Sequence, residues 1–564
     1  MRTALLVAVL AGGLSCETAN AAMRCEDLLR LTLPHAQIAS AKVVAPGAFH
    51  EPGGDAPHHD YSDLPGFCRV HGYSRPVPGS RIGFEVWLPL GHWSGRLHMV
   101  GNGAYDSEIY WAQMADRIRQ SDVGVATDTG HQGSALTFAI GHPERIIDWG
   151  QRAVHESVLA AKLITRAYFG SPARYSYFSG CSTGGEEALS EAQRYPEDFN
   201  GIIAGDPGNY RTSLNMAFLW QFEKNHRTGG NRDPILSVDD LRLVHAAVMQ
   251  ACDAADGVKD GVINDPRACN FEVQSLLCRP GNTSHCLSAA QVTAVRAMYS
   301  GPSDPATGAQ IYPGYTFGSE AVEAAPGQRL PGWAEYWANP HRPDEPQRAD
   351  FFRDWVFHNA RWNPWRFDWH TDPDLVRAAI GSKVDAANPD LLPFAARGGK
   401  LIMFMGWADP VGSALAAIEY YQQVEEFTAD HLGVKDATAA TQRYLRLYMI
   451  PGMAHCAGGP GATNFSTATR DSTPPVRDAT HDMTIALEDW VERGKLPGTL
   501  IGTHYVDSAR KRIAFQRALC VYPQVARYIG GDANKAASFR CESPSGSAVR
   551  PKIIRGKAAG SSVQ

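Results

Sequence analysis

The chain has 564 residues, of which 44% are hydrophobic and 20% charged, with a formal net charge of −6. A chain of that size can bury a large core, and its composition is that of a globular protein. The mild acidity excludes the basic face of a nucleic-acid-binding domain. Eleven cysteines, an odd number, stand out.

The N-terminus accounts for the odd count. Arg2 begins a short positive region, residues 4–10 are apolar, and Ala19-Asn20-Ala21 forms a small-residue cleavage site. Residues 1–21 therefore read as a secretory signal peptide, and the product is expected to be secreted or periplasmic. The apolar run is too short to span a bilayer, and no other stretch approaches ~18 apolar residues. Lipid attachment at Cys16 is a minor alternative, weakened by Gly13, which stands where such a site takes a branched apolar residue. Cleavage removes Cys16 and leaves an even set suited to disulfides in an oxidising compartment.

Strands are expected at 82–88, 97–100 and 123–127, the last short and wholly apolar. Residues 149–168 carry Val154, Val158, Ala161 and Leu163 near one face at helical period. A strand at 175–179, a glycine-rich turn, a helix stopped by Pro196 and a strand from Ile202 follow. Alternating apolar strands and helices imply a mostly parallel sheet in an α/β fold.

Residues 208–390 break this rhythm with four cysteines, many prolines and a dense aromatic stretch from Trp333 to Trp369. Strands resume at 400–405 and 444–450. The simplest division is a first core part at 22–207, an inserted lid at 208–390 and a second core part at 391–564. The aromatics serve either as a cover for a flat acyl group or as the insert's own core. Arg353 and Arg361 lie among them and are candidates to meet a substrate carboxylate or hydroxyl, surface charge being the more usual role.

Gly180-Cys181-Ser182-Thr183-Gly184 fits G-x-S-x-G between a strand and a helix, the context this nucleophile turn requires. Glycines leave room for the sharp bend, and the helix N-terminus directs N–H groups at developing negative charge. Ser182 is the candidate nucleophile. Asp409 follows the 400–405 strand and His455 follows the 444–450 strand, giving the chain order Ser…Asp…His of an α/β-hydrolase.

Ten cysteines permit 945 pairings by combinatorics, so spacing alone does not settle them. Close spacing suggests Cys25–Cys68, Cys252–Cys269, Cys278–Cys286 and Cys520–Cys541. Cys181 and Cys456 remain, one directly before Ser182 and the other directly after His455. A triad would bring those two together.

Asp253, Asp256 and Asp260, with Gly257 and Gly261, form a tight acidic turn. Three such carboxylates repel unless a hard cation neutralises them, and calcium suits all-oxygen ligands. The spacing is not that of an EF-hand, and the nearby cysteines are better used in disulfides than on zinc.

The sequence resembles the tannase/feruloyl esterase family over almost all of the mature chain. The resemblance rests on F-C-R-V from Phe67, F-E-V-W-L-P, G-N-G-A-Y, T-D-T-G-H, R-A-V-H, Y-F-S-G-C-S-T-G-G, E-A-Q-R-Y-P-E-D-F and I-P-G-M-A-H-C-A-G-G-P. It implies an α/β-hydrolase fold with a large lid domain between nucleophile and acid, and a Cys181–Cys456 disulfide. It also implies an oxyanion hole from Thr183 and Gly103, and a structural calcium ion held by Asp253, Asp256, Asp260 and the carbonyls of Val258 and Val262. Two departures stand out: Glu186-Glu187 follow the double glycine where the family often has Arg, and Asp206 interrupts a small-residue run.

The expected activity is hydrolysis of a small aromatic ester through an acyl-enzyme. Hydroxycinnamate (feruloyl) esters are favoured, with gallate esters and terephthalate monoesters as alternatives. A secreted peptidase with the same triad is one rival reading, and a calcium-dependent exported binding module is another. Oligomeric state is not readable from the sequence.

Overall fold

A computed structural model describes residues 22–544 except 53–58, 228–232, 282–283, 324–327, 468–471 and 508. The expected signal peptide, with Cys16, lies outside the described residues.

Nine strands form the central sheet: β1 Ala36–Val44, β2 Phe67–Ser74, β3 Ile82–Pro89, β4 Arg96–Val100, β5 Val123–Thr127, β6 Tyr175–Cys181, β7 Gly201–Gly205, β8 Lys400–Gly406 and β9 Leu445–Ile450. Their spatial order is β1-β2-β3-β5-β4-β6-β7-β8-β9. β1, β2, β3 and β5 pair antiparallel, whereas β5, β4, β6, β7, β8 and β9 run parallel. Among the described residues, helices of nine residues or more are α1 Trp111–Arg119, α2 Ala153–Phe169, α3 Thr183–Arg194, α4 Arg211–Asn225, α5 Val238–Cys252, α6 Ala289–Ser300, α7 Ala414–Leu432 and α8 Met483–Arg493. This is the α/β-hydrolase arrangement. None of these helices is long and apolar enough to cross a membrane.

Both sheet faces are covered, so the parallel strands carry continuous apolar runs rather than alternation with polar residues. Successive side chains still divide between the faces. Phe178, Ile202, Leu401 and Leu447 join one core with Val158, Leu189 and Tyr421. Their neighbours Tyr177, Ile203, Ile402 and Tyr448 join another with Leu487 and Trp490. At 25 cal/mol per Å² of apolar surface, each such side chain contributes about 1.5–3 kcal/mol on burial.

Two helix details differ from the sequence expectation. α2 begins at Ala153, after a wide π turn over Asp148–Arg152. Gly150 in that turn lies against the Lys383 carbonyl, which an added Cβ would approach to 2.2 Å. The buried face of α2 is Val154, Val158, Ala161 and Ile164, while Leu163 is exposed. At 100° per residue, position 163 lies 180° from Val154, on the opposite side of the helix.

The chain leaves the sheet after Gly205 and returns at Lys400. Between them, α5 and α6 each start with a reciprocal capping box, Ser237 with Asp240 and Ser288 with Gln291. Trp333 packs with Leu241 and Val295. Phe351, Phe352, Trp355, Phe367 and Trp369 pack with Tyr105, Leu136 and Trp149. The aromatic stretch is thus largely internal packing of the insert and its seam with the sheet. After β9 come two hairpins, β10 Leu500–Tyr505 with β11 Ile513–Leu519, and β12 Val525–Tyr528 with β13 Phe539–Glu542.

Five disulfides join Cys25–Cys68, Cys181–Cys456, Cys252–Cys269, Cys278–Cys286 and Cys520–Cys541. Four close loops of 43 residues or fewer, and the fifth spans 275.

α3 lies against β7 at backbone contact: a Cβ on Gly185 would sit 2.2 Å from the Gly205 carbonyl oxygen. Gly185→Ala is therefore expected to destabilise the chain by about 1–3 kcal/mol, the usual penalty of overpacking. Gly91→Ala, which faces open space, should stay within about 0.5 kcal/mol. Thermal unfolding of the two variants checks this; equal midpoints would contradict the close-approach account.

Candidate active site

The carboxyl ends of β6, β7, β8 and β9 meet at one cleft. Ser182 occupies the bend between β6 and α3 at φ 65°, ψ −116°, a conformation that a non-glycine residue rarely adopts. Its neighbours make the bend possible. A Cβ on Gly180 would lie 2.6 Å from Gly184, and one on Gly184 would lie 2.9 Å from the Asn102 carbonyl oxygen. The Gly184 N–H donates to that carbonyl at 2.8 Å, and the Ser182 N–H to Gly205 at 2.9 Å. Strain at such a bend persists only where the surroundings hold it.

Asp409 and His455 stand at the ends of β8 and β9. His455 Nδ1 lies 2.7 Å from Asp409 Oδ2. A carboxylate only accepts, so Nδ1 carries the hydrogen. The other oxygen, Oδ1, accepts from the Val411 and Gly412 N–H groups at 2.7 and 3.1 Å. Asp409 is buried while His455 is partly open, and His455 and Ser182 line the same cleft. The Cys181–Cys456 disulfide ties the loops that carry them.

The loop after β4 closes over the helix start. Thr183 Oγ1 donates to the Ala104 carbonyl at 2.7 Å. Thr183 is the first residue of α3, so its N–H has no intrahelical acceptor. Gly103 lies in the same loop, its carbonyl accepting from the Asp106 N–H at 3.0 Å.

The cleft also uses residues that sequence reasoning did not select. Tyr105, Phe218 and Tyr336 are its aromatic lining, together with Arg211 and Arg348. Arg211 is buried, pairs with Glu186 through Nε at 2.7 Å and reaches Thr183 Oγ1 at 3.0 Å. Arg348 stacks its guanidinium 5.0 Å from the Tyr105 ring centroid. It has no ion pair or side-chain hydrogen bond among the described residues. Arg353 and Arg361 do not line the cleft; Arg353 turns to Glu345 at 3.3 Å.

The residues at the two departures from the family pattern are buried. Burial pushes Glu186 up to about 7 against the opposing pull of Arg211, and Glu187 up to about 8. Glu187 accepts from the Asn102 N–H at 2.9 Å and so braces the loop after β4. Asp206 lines the cleft; burial, then the neighbouring Asp409, pushes its carboxyl up to about 8.

In the acidic loop, Asp253 Oδ1 accepts from the Asp260 and Gly261 N–H groups at 3.2 and 3.0 Å. Asp256 accepts from the Val258 N–H and Asp260 from the Val262 N–H, each at 3.1 Å. Arg517 pairs with Asp260. Burial raises the Asp256 carboxyl to about 6, with Asp260 and Asp253 adding repulsion. The donor set, oxygen throughout, has the chemistry calcium prefers, although the three carboxylates do not converge within 4.8 Å of one another among the described residues.

Comparison with known proteins places the chain in a family. A family model for tannase and feruloyl esterase matches residues 68–542. An uncharacterized esterase of Xanthomonas campestris pv. campestris is 37% identical, covering 96% of this chain and 95% of its own. The mono(2-hydroxyethyl) terephthalate hydrolase of Piscinibacter sakaiensis is 30% identical over 85% of each. The crystal structure of feruloyl esterase B from Aspergillus oryzae superposes with a TM-score of 0.81 at 26% identity, covering 92% of this chain and 99% of that one. The chain belongs to the tannase and feruloyl esterase family.

Proposed function

We propose that this chain is an exported serine esterase that hydrolyses esters of aromatic acids, with hydroxycinnamate (feruloyl) esters as its preferred class. The observation that carries the reading is the shared cleft of Ser182 and His455, with Asp409 hydrogen-bonded to His455 Nδ1. Ser182 Oγ attacks the ester carbonyl while His455 accepts its proton. Asp409 fixes the imidazole tautomer and stabilises the imidazolium. The Thr183 and Gly103 N–H groups hold the oxyanion. His455 then protonates the departing alcohol, leaving an acyl-enzyme on Ser182. Water, activated by His455, releases the aromatic acid and restores the serine.

Residues 208–390 act as the lid in this reading, supplying Phe218 and Tyr336 against the acyl ring. Five disulfides fit an oxidising compartment and hence export. Calcium would be held by Asp253, Asp256, Asp260 and the Val258 and Val262 carbonyls, where it would neutralise the loop and supply no chemistry.

Arg348 favours a second reading. A guanidinium with no protein anion beside it among the described residues suits a substrate carboxylate, such as the free acid group of a terephthalate monoester.

Three measurements test these proposals. Ser182→Ala should abolish turnover of methyl ferulate, and Asp409→Asn should lower kcat by about 10⁴-fold through the wrong imidazole tautomer; turnover surviving in Ser182→Ala refutes the triad. Arg348→Ala should leave the KM for methyl ferulate within about threefold on the preferred reading. A KM raised at least tenfold for the terephthalate monoester alone, about 1.4 kcal/mol of lost binding, selects the second reading. Chelation with EGTA should lower the thermal midpoint by several degrees, with recovery on adding calcium, because a ligand bound only to the native state stabilises it. An unmoved midpoint rejects the calcium site.

A further inference from the structure

Asp206 sits at the end of β7, between the strand that leads to Ser182 and the strand that leads to Asp409. It is buried and holds φ 36°, left-handed for a residue with a side chain. Each carboxylate oxygen has one backbone partner from a different loop. Oδ1 accepts from the Gly406 N–H at 2.6 Å, three residues before Asp409. Oδ2 accepts from the Cys456 N–H at 2.7 Å, directly after His455. Oδ2 also packs 3.4 Å from Cys181 Sγ, a disulfide sulfur with no hydrogen to donate. One oxygen of Asp206, one of Asp409 and one ring nitrogen of His455 all lie within 4.8 Å of one another. These are not the makings of a metal site, because both Asp206 oxygens hold backbone N–H groups and Asp409 holds Val411, Gly412 and His455.

We propose that Asp206 is a positioning residue for the esterase reaction, a carboxyl clamp that sets the separation of the Asp409 loop from the His455 loop. This rests on the triad reading. The Cys181–Cys456 bond fixes the histidine loop to the nucleophile turn, and the Trp407 and Ala408 N–H groups donate to the Ile450 and Met453 carbonyls at 3.0 and 2.9 Å where the acid and histidine loops begin; Asp206 adds a tie at Cys456, the residue next to His455 itself. Cys456, at φ 65°, is itself left-handed, and the Asp206 bond to its N–H holds that conformation. Misplacing an imidazole relative to its carboxylate affects bond making in the transition state more than ground-state binding of the ester.

The test is Asp206→Asn, which keeps the volume but exchanges one acceptor for a donor facing a backbone N–H, alongside Asp206→Ala, which removes both acceptors. An aryl phosphonate that labels Ser182 gives the concentration of competent sites, so unfolded protein does not enter the rates. The expected result is kcat for methyl ferulate lowered about tenfold in Asp206→Asn and further in Asp206→Ala, with KM within about twofold and phosphonate labelling slowed in parallel. Two outcomes overturn the proposal: kcat within twofold of wild type in both variants, or a lower thermal midpoint with unchanged kcat, which would make Asp206 merely structural. Ser182→Ala is assayed beside them. Its loss of turnover confirms that the rates report the triad, and its survival removes the basis of this inference.

Discussion

The site depends on backbone touching backbone at the turn after β6. α3 leaves the sheet so steeply that Gly180 meets Gly184, Gly184 meets the loop after β4, and Gly185 meets β7. Side chains at those three places would push the helix away from the sheet. Their absence lets Ser182 stand in a strained conformation at the mouth of the cleft, with the N–H of Thr183 beside it. Every other functional group is located relative to that turn, either by a strand end beside it or by a covalent bond to it.

Closing α3 so tightly buries its first turn, and the sequence fills that turn with acids. Glu186 is neutralised by Arg211, which also lines the cleft, while Glu187 braces the loop expected to share the oxyanion hole. Raised carboxyl pKa values mark the cost of that burial. The Arg211 guanidinium lies between Glu186 and Thr183, close to the reacting centre. Pocket polarity is therefore set partly by residues below its floor.

What was legible in the sequence was local or ordered along the chain. G-x-S-x-G announces itself in five residues, and Asp409 and His455 are found by following strands to their ends. Cys181 and Cys456 declare themselves by adjacency to those candidates. Asp206 was visible only as a departure from the family's small-residue run, and Arg211 and Arg348 not at all, because their partners come from other loops and elements brought near only by folding. Asp206 reaches residues 200 and 250 positions away. Arg353 and Arg361 lie outside the cleft, in keeping with the surface-charge reading, because nearness to aromatics in sequence says nothing of which way the chain turns them. β1, β2 and the C-terminal hairpins escaped notice because antiparallel strands partly open to solvent lack the apolar run of β7 or β8.

The Cys181–Cys456 bond closes a 275-residue loop, and that loop contains the entire insert. In the chain-entropy model, a cross-link of this span removes about 6 kcal/mol of disorder from the unfolded chain. Its timing has a further consequence. Cys456 leaves the synthesis or export machinery long after Cys181, so the bond forms only once the insert and β8 have emerged. The cysteine before the nucleophile must wait, unpaired, while Cys252, Cys269, Cys278 and Cys286 appear as nearer partners. The two short-range disulfides of the insert, separated by 17 and 8 residues, have far shorter loops to close, so pairing there would withdraw those four thiols from competition. The same insert that delays the Cys181–Cys456 bond would thereby limit its mispairing.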